Sequence, residues 1–91
     1  MTEYYLRNPF GIVIESDRVN RLNRHLPSLR KTLVNAHLHI SMARINGKSL
    51  LLTVVPMRPI QDVRVMQHLY KALPDAPINV RICSPDLLAY V

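Results

Sequence analysis

Two apolar runs meet at Asn46-Gly47, and a dipeptide of this kind admits few backbone paths. Both central residues of a type I′ hairpin turn need positive φ, which Asn and Gly tolerate best. The first flank, His37 to Ile45, alternates: Leu38, Ile40 and Met42 lie on one face, with His37, His39 and Ser41 on the other. The second flank, Lys48 to Val55, is apolar on both faces, as a central strand would be. Pro56 and Pro59 then end the pairing, because proline donates no ladder hydrogen bond. A β-hairpin is therefore expected here.

Upstream, Val19, Leu22, Leu26, Leu29 and Leu33 are spaced three and four apart, the stripe of an amphipathic helix over Asp17 to Ala36. Ser16 is a candidate N-cap, and Asp17 suits the positive end of the dipole. Pro27 removes one backbone donor, yet the stripe keeps its phase, so a kink is expected, with a break near His25 as the alternative. A second helix is predicted from Pro59 to about Leu73, with Ile60, Val63, Met66, Leu69, Tyr70 and Leu73 as its apolar face. Pro74-Asp75-Ala76-Pro77 stops it. Phe10 to Glu15 and Ile78 to Cys83 read as two further strands. The tail from Ser84 to Val91 fits either a short docked helix or an added edge strand.

The element order is β-α-β-β-α-β, with right-handed crossovers. The economical packing is a ferredoxin-like α+β sandwich: a four-stranded antiparallel sheet with two helices on one face. A chain of 91 residues allows a single domain over 1–91.

Composition removes several function classes. With two glycines, the chain has no Gly-rich phosphate loop or dinucleotide fingerprint. One cysteine rules out a disulfide framework and any Cys-based structural zinc site. Aromatic content of 5% without Trp weakens any mechanism built on stacked bases. The opening MTEYYLRNPF lacks an apolar h-region, and Leu50 to Met57 is too short to span a bilayer. With a lone Cys83, the expected location is cytoplasmic, away from the membrane.

The acids do not assemble a catalytic constellation. Only Glu15 and Asp17 are close in sequence, and a metal-dependent nuclease built on them would need a third ligand that no spacing supplies. His37-x-His39 places both imidazoles on one strand face, and Cys83 would share that face from the opposite edge of the sheet, too far for one metal. Neither a metal nor another cofactor is implied.

Charge is more informative. The formal net charge is +6, and Arg18, Arg21, Arg24, Arg30 and Lys31 stand on the polar side of the first helix with no acid among them. Such a stripe can neutralise phosphates without reading bases. The expectation is a small non-enzymatic protein that binds nucleic acid through this helix. The alternative is an interaction module (an inhibitor, an antitoxin or a mobile-element regulator) that docks an acidic protein. Leu50, Leu52 and Val54 are placed on the sheet face away from the helices, where a homodimer would cover them unless the tail folds back.

Overall fold

The computed structural model describes residues 5–73 and 79–90. In chain order they form β1 (Tyr5–Leu6), β2 (Phe10–Glu15), α1 (Val19–Arg24), α2 (Leu26–Asn35) and β3 (Leu38–Asn46). These are followed by β4 (Ser49–Pro56), β5 (Ile60–Gln61), α3 (Asp62–Ala72), β6 (Asn79–Cys83) and a 3-10 helix over Pro85–Tyr90. The architecture is mixed α+β, with a four-stranded antiparallel sheet in the order β3-β4-β2-β6 and a two-stranded sheet of β1 and β5. The expected Pro74–Pro77 helix stop, Ile78 and Val91 lie outside the described residues.

The sheet has a different apolar partner on each face. Phe10, Ile12 and Ile14 of β2 and Leu50, Leu52 and Val54 of β4 form one core with Val19, Leu22, Leu29, Leu33, Val65 and Leu69 from the helices. Val13 and Leu51 point the other way and pack with Leu88 of the 3-10 helix and with Cys83. This overturns the expected placement of Leu50, Leu52 and Val54 on an open face: all three are 0% exposed and lie in the core shared with the helices. An apolar run carries no alternation to mark its phase, and the structure sets that phase one residue away from the expected one. The surface on which the homodimer was expected is therefore not a surface. At the centre of the opposite face, Leu88 covers Val13 and Leu51.

The hairpin is present, but its turn sits one residue later than expected. Asn46 pairs with Ser49, leaving Gly47 and Lys48 as the central residues. Gly47 has φ 62° and Lys48 is not in the positive-φ region, the pattern of a type II′ turn with glycine first. The ladder also shifts register between Ile40 and Met42, so Ser41 is an extra residue in β3. Before this bulge Leu38 and Ile40 face the core; after it Ala43 does, and Met42 is 60% exposed instead of core-facing.

The long amphipathic stripe is split into two helices by a single turn residue, His25. Pro27 then lies in the first turn of α2, where its missing N–H has no intrahelical acceptor to lose. The stripe survives the break, with Val19, Leu22, Leu29 and Leu33 all buried. Ser16 does not cap α1; its hydroxyl accepts from the Arg18 N–H at 3.1 Å, in the turn before the helix. The second long helix starts later than expected, because Ile60 and Gln61 pair with Leu6 and Tyr5. It is also rotated: Val65 and Leu69 are buried, whereas Val63 and Tyr70 are about half exposed.

His37 was expected on a strand and is found in the turn after α2, with φ 63°. Its N–H donates to the Val34 carbonyl at 2.9 Å, which satisfies one of the open carbonyls at the helix end. A left-handed backbone is costly for any residue with a Cβ, and glycine is the natural occupant. His37→Gly should raise stability by about 1 kcal/mol, measured as the shift of the chemical unfolding midpoint. An unchanged or lower midpoint would mean that the imidazole compensates for the backbone.

Candidate functional site

The basic face is built by α1 and α2. Arg18, Arg21, Arg24, Arg30 and Lys31 are all exposed, on helices whose opposite sides are anchored by Val19, Leu22, Leu29 and Leu33. Burial of that stripe dictates that the intervening polar positions face outward. The absence of acids extends beyond the helix: from Arg18 to Gln61 the sequence contains no Asp or Glu, while Arg44, Lys48 and Arg58 add to the cations.

Helix electrostatics explain only part of this arrangement. Arg21 and Arg24 lie in the last turn of α1, where a cation complements the dipole. Neither α1 nor α2 has an acid in its first turn, and α2 has no cation in its last turn. Elsewhere in the same chain α3 follows the dipole rule at both ends, with Asp62 first and Lys71 last. Arg30 and Lys31 lie mid-helix, where the dipole offers them nothing.

Arg30 has a structural task of its own. The Arg30 guanidinium reaches across to β3 and donates to the Ile40 carbonyl at 2.9 Å. That bond joins α2 to the bulged strand, a contact that sequence spacing does not reveal. Two further cations face acids: Lys48 lies 3.4 Å from Asp17 and Arg81 lies 3.5 Å from Glu15, both pairs exposed. Exposed pairs of this kind contribute about 0–1 kcal/mol. Glu15 and Asp17 thus take separate cationic partners.

His39 and Cys83 lie on β3 and β6, the two outer strands of the larger sheet. His37 is off the strand altogether, so the His37-x-His39 pair does not share a strand face. Among the described residues no group of three or more His, Cys, Asp and Glu could hold a metal ion. Burial pushes the Cys83 thiol above its ordinary range, and Arg81 pulls it partly back. A raised thiol carries little thiolate at neutral pH and is a poor nucleophile. A cleft of about 440 Å³ opens between Tyr5–Phe10, Asp62 and Ile82–Pro85. Among the described residues its one carboxylate is Asp62, in the first turn of α3, which accepts from the adjacent Val63 N–H at 2.7 Å.

Among the described residues no helix is long and apolar enough to cross a membrane. Compared with protein-family models, curated proteins and solved structures, the chain matches none.

Proposed function

We propose that this chain is a small non-enzymatic protein that binds a polyanion, nucleic acid foremost, through α1 and α2. The observation carrying the reading is that exposed cations on these helices, without an acid between Arg18 and Gln61, exceed what helix electrostatics asks for. Contacts of this kind neutralise phosphates and supply affinity without base readout. The scaffold proposed for them is a ferredoxin-like split βαβ sandwich. Its support is the order β3-β4-β2-β6 with every neighbour antiparallel, and the sharing of one core by β2, β4 and the three helices.

The test is a titration of labelled duplex and single-stranded oligonucleotides at rising salt. Affinity should fall steeply, and replacing Arg21 and Arg24 together by Ala should lower the slope of log affinity against log salt by about 1.4–1.8. The loss should be similar for unrelated base sequences. Absence of retention on a nucleic-acid column at low salt would reject the reading. The other reading, docking of an acidic protein, uses the same excess charge.

A further inference from the structure

A second row of cations flanks the α1–α2 face. Leu29 and Leu33 of α2 and Val65 and Leu69 of α3 are buried in one core. Between the two helices opens a groove of about 340 Å³, with Thr32, Asn35 and Ala36 on one side and His68, Lys71 and Ala72 on the other. Among the described residues none lining it is acidic. Arg64 lies four residues before His68 and seven before Lys71, on the same flank of α3. The helix dipole accounts for Lys71, in the last turn, but works against Arg64 in the first.

The stretch without acids is also without aromatic residues: no Phe, Tyr or Trp occurs from Arg18 to Gln61. His25, in the turn between α1 and α2, is the one ring of that helical segment. Tyr5 is exposed on β1, away from the helices. Tyr70 is exposed on α3, but it follows Met66 by four residues, on the flank that meets Ile82 of β6 and not on the α2 side. Single-strand binders draw affinity from bases stacked on aromatic rings. A duplex keeps its bases inside and offers a phosphate charge every ~1.7 Å along its axis. Its two backbones border grooves about 6–12 Å wide, and packed helices lie about 8–10 Å apart. Two rows of cations on neighbouring helices thus match two strands in scale.

We propose that the helices hold double-stranded nucleic acid by both of its backbones. One strand crosses Arg18, Arg21, Arg24 and Lys31, and the other follows Arg64 and Lys71 along the α2–α3 groove. A single strand has one backbone and engages the first row alone. This rests on the reading of the α1–α2 face as a polyanion site, and adds to it the form of the nucleic acid and a second line of contact.

The probes are a labelled oligonucleotide duplex and one of its strands alone, titrated by fluorescence anisotropy from about 50 to 200 mM salt. The duplex should bind more tightly and with the steeper salt dependence. Replacing Arg64 and Lys71 together by Ala should take about 1.8 from the duplex slope of log affinity against log salt, and leave the single-strand slope unchanged. Lys71→Gln alone should take about half as much, which keeps the test decisive if the double variant does not fold. Tyr70→Ala should alter neither probe. A single strand bound as tightly as the duplex, a duplex slope unmoved by the double variant, an equal loss for both probes, or a single-strand loss on Tyr70→Ala would each overturn the proposal. In those cases the Arg21 and Arg24 to Ala variant would still lower both slopes, leaving the α1–α2 site in place. Binding of neither probe would overturn both.

Discussion

Leu52→Asp should leave no folded protein at any concentration. Leu52 is 0% exposed and lies in the core among strand and helix side chains. An ionised carboxylate there would have neither water nor a cation, a cost of several kcal/mol. Total stability for a domain of this size is about 5–15 kcal/mol, so little margin remains. Leu52→Ala is the graded form of the experiment and should cost about 2–5 kcal/mol, read from urea unfolding. Leu51→Ala should cost less, because Leu51 belongs to the smaller cluster with Val13, Leu88 and Cys83. A folded Leu52→Asp protein with altered association would return the residue to a surface and contradict the packing.

Gly11→Val should detach the 3-10 helix from the sheet. A Cβ at Gly11 would meet Cys83 Sγ at 3.0 Å and Leu88 Cγ at 3.0 Å, tighter than nearly all Cβ contacts, and valine adds two methyl groups beyond it. Overpacking of this kind costs about 1–3 kcal/mol. Leu88 is the movable partner, since its helix is held to the sheet by that side chain and by the Arg44 guanidinium donating to its carbonyl. Adding Leu88→Ala should relieve the strain, giving a non-additive cycle with a coupling of about 0.5–3 kcal/mol. Cys83 provides the reporter. Burial raises its thiol above the ordinary range, so alkylation at mildly alkaline pH is slow in the native protein. Displacing Leu88 removes that burial, lowers the thiol towards its normal range and increases the thiolate fraction, so alkylation accelerates. An unchanged rate would show that the valine is accommodated without moving the tail.

What the sequence made legible was whatever has a period or a punctuation mark. β2, the β3–β4 hairpin, β6 and the buried stripe of α1 and α2 all follow from alternation, three-four spacing, Gly or Pro. The phase of β4 was not legible, because Leu50 to Val55 offers no polar residue to mark the outer face except Thr53. The extra residue at Ser41 reverses the facing of Met42, and nothing local announces it. β1 and β5 are two residues each, too short for any period. α3 has apolar residues around much of its circumference, so Val63 and Tyr70 competed with Val65 for the inner face. At the candidate site the cations were identifiable by charge alone. The role of Arg30 was not, since its acceptor at Ile40 is brought near only by the finished sheet.

The strand order also fixes a timetable for folding. β3 and β4 are neighbours in the chain and can pair as soon as both are made, at little cost in loop entropy. β2 precedes them but sits inside the sheet, between β4 and a strand whose contact with it joins residues 66 positions apart. Its second flank stays bare until synthesis has passed Cys83, so a strand buried on both faces waits longest for its partner. During that interval a nascent chain exposes Ile12, Val13 and Ile14 along an unpaired edge, the condition under which intermolecular pairing competes with folding. Slow translation of the α3–β6 stretch would lengthen that window, and fast translation would shorten it.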